Sequence, residues 1–470
     1  MFNAINIDFL KSALTTKECI HSLEEIVEWL KIKNLETYVE ITEIPFNQMT
    51  DWSFDQNSGA LKHKTGKFFS IEGIQVKTNW GNVAEWQQPI INQPEIGYLG
   101  IITKQINGVL YFLLQAKIEP GNLNHVQLSP TLQATRSNYE ARHKGKKPIY
   151  LEYFQGVKQH QILLDQLQSE QGARFLRKRN RNIIIKIEDE IVTETNFIWV
   201  TLGQIKELLK RDNLVNMDTR TVISGISFTD INQEVLETIC SDKLLNYNSK
   251  NHVVSYLNNL FSLHSFDEIL NWITRLKFYY DLEISPVDLR KVNHWSIKEN
   301  EIIHKDNLYF KVIATEVKIN NREVATWNQP LIQPVLDGII AFIIRKIEGV
   351  YHFLIQAKVE PGNFDVVEMA PTVQCITGSY KHSDEIPFLK NILNATTEQI
   401  IFDTLQSEEG GRFYHEQNRN LIIEVDYQFS LEVPENYKWI SLGQLTLFLK
   451  FNNYLNIQSR SLISALNLNI

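Results

Sequence analysis

The chain is short of cysteine, of positive charge and of long apolar runs. Its three cysteines, Cys19, Cys240 and Cys375, show neither metal-ligand nor disulfide spacing, which fits a reducing cytoplasm. Lysine and arginine number 47 against 55 acids, a net charge of −8, so the basic face of a nucleic-acid binder is not expected. No apolar run approaches the ~20 residues of a membrane span. The first residues, Met-Phe-Asn-Ala-Ile-Asn, lack the charged region and apolar core of a signal peptide. A Gly-rich phosphate loop, a Ser-His-Asp order, a His pair on a helix and a CxxC are all missing. The twelve histidines are scattered, so no metal site is expected.

What is present is a repeat. Gln115–Tyr139 returns 241 positions later as Gln356–Tyr380, with twelve of 25 aligned positions identical, including Gln-Ala-Lys-x-Glu-Pro-Gly-Asn, Pro-Thr-x-Gln and the closing Tyr. Each copy follows an apolar run of strand composition, Val109–Leu114 and Val350–Ile355, and the Pro-Gly marks a turn. Further blocks recur in the same order. Glu85-Trp86-Gln87-Gln88-Pro89-Ile90 matches Thr326-Trp327-Asn328-Gln329-Pro330-Leu331, and is read as a polar turn. Asp165–Phe175 matches Asp403–Phe413, and is read as a helix ended by glycine. Asn180-Arg181-Asn182 and Asn418-Arg419-Asn420 precede the apolar strands Ile183–Ile187 and Leu421–Val425. Trp199 and Trp439 lead into helices with capping boxes at Thr201…Gln204 and Ser441…Gln444. Thr15-Thr16-Lys17-Glu18 predicts the start of the first helix, with Ser265…Glu268 as its counterpart, and Trp29 and Trp272 are expected in the core. Two domains are therefore expected, 1–228 and 229–470, each with strands and one or two helices in an α+β arrangement.

Candidate site residues cluster in the shared blocks. Glu119 and Glu360, at a strand end beside Pro-Gly, suit a general base or a turn-fixing acceptor. Lys117 and Lys358 alternate in phase with them and suit an oxyanion partner or a structural ion pair. Tyr139 and Tyr380 suit an acid, or a buried hydroxyl. Arg174, Arg181 and Arg220, with Arg412, Arg419 and Arg460, are anion candidates, since a diphosphate favours several forked donors. Trp86 and Trp327 are placed to stack on a base or sugar, or to fill the core. The loop Arg142–Pro148, basic and without a twin, reads as a solvated loop or as a lid.

These blocks together, Trp-Gln-Gln-Pro, Gln-Ala-Lys-Ile-Glu-Pro-Gly-Asn, Val-Gln-Leu-Ser-Pro-Thr-Leu-Gln-Ala-Thr-Arg-Ser-Asn-Tyr, Gln-Ser-Glu-Gln-Gly-Ala-Arg-Phe and Asn-Arg-Asn, resemble the NDP-hexose 2,3-dehydratases. The resemblance covers most of the chain and implies a tandem duplication of a Nudix-like α/β/α domain, a mixed sheet flanked by helices. It implies a hydro-lyase that removes water across C2 and C3 of a TDP-4-keto-6-deoxyhexose in deoxysugar biosynthesis. It also implies a homodimer coupled to an NADPH-dependent 3-ketoreductase, with no cofactor of its own. The Nudix hydrolase signature Gly-x5-Glu-x7-Arg-Glu-x2-Glu-Glu is missing, which sets a magnesium-dependent pyrophosphohydrolase second; a non-catalytic nucleotide-sugar binder stands third.

On this reading Glu119 is the base, Lys117 the oxyanion partner and Tyr139 the acid. Substrate contacts are assigned to Trp86, Gln88, Asn122, Gln133, Thr135, Ser137, Asn138, Arg174 and Arg181, and to Trp327, Lys358, Glu360, Asn363, Gln374, Tyr380, Arg412 and Arg419. The second copy carries Cys375-Ile376-Thr377-Gly378-Ser379 where the first has Ala134-Thr135-Arg136-Ser137-Asn138. Two unequal pockets follow, with the chemistry in the first.

Overall fold

Unbroken apolar runs, buried on both faces, and a two-residue turn fold Tyr98–Ile106 and Val109–Ile118 into a hairpin at the centre of the first half. The computed structural model describes residues 4–135, 147–228, 262–320, 325–376, 378, 380 and 386–467. Its first half runs α1 (Ala4–Leu14), α2 (Leu23–Leu35), β1 (Val39–Glu43), β2 (Trp52–Phe54), β3 (Leu61–His63), β4 (Ser70–Thr78), β5 (Glu85–Asn92), β6 (Tyr98–Ile106), β7 (Val109–Ile118), β8 (Val126–Ser129) and β9 (Leu132–Ala134). It continues through α3 (Leu151–Phe154), β10 (Gln161–Ser169), β11 (Arg179–Lys186), β12 (Phe197–Thr201), α4 (Leu202–Leu208) and α5 (Met217–Ser224). The second half opens with α6 (Phe266–Tyr279), β13 (Leu282–Val287), β14 (Trp295–Ile297), β15 (Glu301–His304), β16 (Phe310–Ile319), β17 (Thr326–Pro334), β18 (Gly338–Ile347), β19 (Val350–Val359), β20 (Val367–Ala370) and β21 (Val373–Cys375). Then come α7 (Leu389–Leu393), β22 (Ile400–Ser407), β23 (Gln417–Val425), β24 (Tyr437–Ser441), α8 (Leu442–Phe448) and α9 (Ile457–Ala465).

Each half builds a seven-stranded mixed sheet in the order β10-β11-β6-β7-β12, or β22-β23-β18-β19-β24, with two short strands paired at the centre. One pair in each sheet is parallel, β11 with β6 and β23 with β18. The two smaller sheets are exchanged. Strand β1 of the first half pairs with β16 of the second, Val39 opposite Ile319, and β13 of the second half pairs with β4 of the first, Leu282 opposite Thr78. The largest core cluster is likewise shared, taking Phe112 and Leu114 from one half and Phe353 and Ile355 from the other. The chain is thus a duplicated mixed α+β fold whose copies interlock. Among the described residues no helix is long and apolar enough to cross a membrane.

Three sequence expectations change. Asp165–Ser169 is strand, not helix: Asp165 lies opposite Ile183 and Leu167 opposite Arg181. Leu164 and Leu167 stand three apart, a spacing that does not alternate, so it is the pairing along β11 and not a local period that makes this segment a strand. The Trp-Gln-Gln-Pro block is strand β5, not a turn. Pro89 is tolerated because, among the described residues, β4 is the one strand laddered against β5; on the opposite edge the backbone bonds fall at Ile91, which bridges Phe175. Thr15 closes α1 rather than opening the next helix, since its hydroxyl donates to the Lys11 carbonyl at 2.7 Å. The capping box belongs to Ser22 and Glu25. The boxes at Thr201, Ser265 and Ser441 are as expected, as are the apolar strands after each Asn-Arg-Asn. Trp272 is buried and Trp29 half-buried against the shared core. Tyr139, Ser137, Asn138, Cys240 and most of the basic loop at 142–148 lie outside the described residues.

Candidate active site

At the end of β7 the side chains of Lys117 and Glu119 fall on one face and pair, Lys117 Nζ to Glu119 Oε1 at 2.8 Å. Gln133 on β9 donates to the same oxygen at 2.7 Å. Behind Gln133 stands Asn216, the N-cap of α5, which donates to Ser129 Oγ at 2.8 Å and to Gln133 Oε1 at 3.4 Å. Asp218 follows in the first turn of α5 and is buried, 3% exposed.

The second half supplies the opposite wall. The Gly121 N–H donates to the Gly410 carbonyl at 2.7 Å, and the His415 N–H to the Gly121 carbonyl at 2.8 Å. A Cβ on Gly121 would collide with the Phe413 carbonyl oxygen, so this crossing admits only glycine. It brings Glu409, Gly411 and Arg412 to Glu119. A Cβ on Gly411 would stand 2.9 Å from Glu409 Oε1 and 3.9 Å from Glu119 Oε1. Gln329 on β17 holds the Gly411 carbonyl at 3.0 Å, and its side-chain oxygen accepts the Trp327 ring N–H at 2.8 Å. Trp327 therefore belongs to the pocket of Glu119.

Three carboxyls act on one another here through low dielectric. Burial, then Glu409, Glu119 and Glu170, push Asp218 well above its ordinary value, with Lys117 opposing. Glu409 is pushed up by burial, with Arg412 as its chief counter-charge. Burial lowers the Arg412 guanidinium while Glu409, Glu119, Asp218 and Glu95 hold it up. Arg412 is half-buried, lies over the Phe69 ring at 4.2 Å and donates to Gln93 Oε1 at 3.2 Å. Among the described residues no group of three or more His, Cys, Asp and Glu is arranged to hold a metal ion.

A second pocket repeats the frame with different charges. Gln374 donates to Glu360 Oε1 at 2.9 Å, and Asn456, the N-cap of α9, donates to Gln374 Oε1 at 2.6 Å. Gly362 crosses the first half's turn as Gly121 does the second's, donating to the Gly172 carbonyl at 2.7 Å. Here Gln458 stands for Asp218 and Gln171 for Glu409. Both amides are buried, and so is Arg174, which lies over Phe310 with Glu416 4.0 Å away. Lys358 lies over the Trp80 ring at 5.3 Å and its ammonium donates to the Gln374 carbonyl at 3.5 Å.

The family model described as NDP-hexose 2,3-dehydratase matches residues 23–226 and again 266–466, one match for each half. The chain belongs to the NDP-hexose 2,3-dehydratase family. It is 44% identical over 462 residues to dTDP-4-dehydro-6-deoxy-alpha-D-glucopyranose 2,3-dehydratase of Saccharopolyspora spinosa, covering 98% of this chain and 94% of the other. Proteins of the same description from Amycolatopsis orientalis and Streptomyces violaceoruber are 39% and 38% identical, the matches covering 97% and 93% of this chain and 92% and 95% of theirs.

In this family member the expected residues divide across the halves. Lys117, Glu119, Gln133 and Arg412 gather at one crossing, with Trp327 joined to it through Gln329. Lys358, Glu360, Gln374 and the buried Arg174 gather at the other, with the turn held by Gln88, which donates to the Ala173 carbonyl at 3.1 Å. The Trp86 ring N–H is fixed on Gln88 Oε1 at 2.9 Å. Asn122 and Asn363 pack against Gly410 and Gly172 and form part of the crossings. Thr135 is half-buried at the end of β9, and Tyr380 half-buried beside Cys375. Arg181 and Arg419 are each held by two prongs on Asp165 and Asp403. Arg220 and Arg460 are fully buried and hold the carbonyls of Ser407 and Ser169, so they anchor the two turns. Asp218 and Glu409 escape a search for shared blocks because their twins are amides; the signal that finds them is a change of charge between copies.

Behind the second pocket Glu368 is 1% exposed and accepts from Ser169 Oγ at 2.8 Å. Burial, reinforced by Glu360, pushes its carboxyl from 4.5 to about 7, against Ser169, Arg460 and Lys277. Between those values the folded chain keeps a proton that the unfolded chain has lost. Its contribution is therefore complete below 4.5 and lost as pH rises through about 7. Glu368→Gln fixes the neutral form. Its melting temperature is expected to fall less than wild type's between about pH 5 and about pH 8. Parallel melting curves across that range would show that Glu368 does not titrate.

Proposed function

We propose that this chain dehydrates dTDP-4-dehydro-6-deoxyglucose at C2–C3, and that the reaction occurs in the pocket of Glu119. The observation that carries the site is the Lys117–Glu119 pair set against Glu409 and Arg412 from the other half. The C3 hydrogen lies next to the C4 ketone, so its removal gives an enolate whose charge rests on the C4 oxygen. Glu119 takes that proton, and Lys117 meets the developing charge; one well-aimed donor of this kind supplies ~2.7–4 kcal/mol. Expulsion of the C2 hydroxyl as water leaves a C2=C3 enol, which ketonises to the 3,4-diketo-2,6-dideoxy sugar. The exchanged small sheets and the two mixed sheets support a Nudix-like reading of each copy, 1–228 and 229–470 in sequence, without the hydrolase's carboxylate-rich helix. The product is an unstable diketone, so a nicotinamide-dependent 3-ketoreductase is its expected consumer. A cytoplasmic homodimer completes the reading.

The test is incubation with the keto sugar, a 3-ketoreductase and NADPH, followed by mass. Loss of water plus gain of two hydrogens supports the reading, and recovery of unchanged substrate sinks it.

With Arg181 tied to Asp165 and Arg174 enclosed, we assign the diphosphate contact of this pocket to Arg412. Arg412→Ala is expected to raise KM by about 10- to 100-fold, the loss of one charge-assisted contact of roughly 1.5–3 kcal/mol, with a smaller change in kcat. Arg181→Ala should move KM much less. An unchanged KM in Arg412→Ala would reduce this arginine to a partner of Glu409.

A further inference from the structure

Elimination needs two proton events, one at C3 and one at the departing C2 hydroxyl, and Glu119 accounts only for the first. We propose that Asp218 is the catalytic acid that delivers a proton to the C2 hydroxyl as it leaves; this rests on the dehydratase reading of the same pocket. Asp218 sits in the first turn of α5, whose N-cap Asn216 is bonded to Gln133, the residue that holds Glu119. The helix start and the base are thus one connected frame, and Asp218 stands two residues past the N-cap of that frame.

Charge decides which of the three carboxyls keeps a proton. Glu119 has the Lys117 ammonium at 2.8 Å. Glu409 has Arg412 as its chief counter-charge. Asp218 feels the charges of Glu409, Glu119 and Glu170, with Lys117 the weakest influence, and is walled from solvent. Buried like charges that act on one another do not all ionise, so the proton stays on the member without a cation of its own. The other pocket keeps the frame, Glu360–Gln374–Asn456, yet puts Gln458 at this position, an amide that has no proton to give.

The step balances. Glu119 removes the C3 proton and its electron pair moves onto the C4 oxygen. The enolate then reforms the ketone, the C2–O bond breaks, and the hydroxyl leaves as water with the proton of Asp218. Glu119 now carries a proton and Asp218 a negative charge. Ketonisation puts a proton on C2 and releases one from the C3 hydroxyl, and exchange with solvent resets both carboxyls.

The experiment uses the full-length protein and substrate deuterated at C3. Wild type should release deuterium and dehydrate; wild type that does neither would overturn the functional reading rather than this assignment. Glu119→Gln should lose both. Asp218→Asn, which keeps the shape and neutrality of the protonated acid, should melt within a few degrees of wild type, retain KM within about two-fold and still wash deuterium out. Its dehydration should fall at least 100-fold, the lower end of what a positioned acid supplies. Asp218→Glu, which restores a titrating group, should recover part of that loss. Dehydration by Asp218→Asn within about three-fold of wild type would overturn the proposal. So would parallel loss of washout and dehydration in a normally folded Asp218→Asn that Asp218→Glu fails to rescue.

Discussion

Glu119→Gln is expected to reduce turnover by at least about 10²–10⁴-fold, while Glu360→Gln leaves it within a few-fold of wild type. The two residues occupy equivalent strand ends, and each accepts a hydrogen bond from a glutamine of the following strand. Their surroundings differ. Glu119 is ion-paired with Lys117 and shares its pocket with Asp218, Glu409 and a half-buried Arg412. At the corresponding places Glu360 meets Gln458, Gln171 and a buried Arg174, and Lys358 lies over Trp80 instead. With amides at the places of Asp218 and Glu409, the pocket of Glu360 lacks the acid on which the proposed elimination depends. Because glutamine preserves size and one acceptor, both variants should fold, and the ketoreductase-coupled assay reads the difference. Collapse confined to Glu360→Gln would reverse the assignment, and equal collapse in both would mean two working pockets.

Gly121→Ala is expected to abolish activity by a different route, costing about 3 kcal/mol or more of stability. The added methyl meets the Phe413 carbonyl oxygen, an atom of backbone that has no rotamer to escape into. To admit it, the Gly121–Gly410 and His415–Gly121 hydrogen bonds must open, and Glu409 and Arg412 move away from Glu119 with them. A shift of about 1 Å in a reacting group can alone cost 10²-fold in rate. Urea unfolding and turnover measured on the same sample check this. A midpoint and a rate both like wild type's would mean that the crossing relaxes without loss.

Much of this was legible in the sequence. The duplication, the strand before Gln-Ala-Lys, the capping boxes at Thr201, Ser265 and Ser441 and the meeting of Lys117 with Glu119 all follow from local periodicity and spacing. The assignment of wall residues to pockets does not. Trp86 and Gln88 precede Glu119 in the chain, yet they support the turn that faces Glu360, because strand exchange carries each half's turn to the other half's base. No one-dimensional pattern records that crossing. Asp165–Ser169 was misread for a related reason: the glycine after it serves a contact with the other half, where the Gly172 carbonyl meets Gly362, and not a helix end. Asp218 lay hidden because a search for what two copies share passes over what they do not.

The exchanged strands also bear on history and on symmetry. Strand β1 completes a sheet of the second half, and β13 a sheet of the first. A single unduplicated copy would have had to lend the same strand to a second polypeptide, as a two-fold dimer whose paired pockets were identical by necessity. In such an assembly any substitution at the place of Asp218 or Glu409 appears in both pockets at once. Joining the two copies end to end removes that constraint. One gene then encodes each wall separately, and an acid can be kept in one pocket while its twin drifts to an amide, without a change in the architecture that holds either.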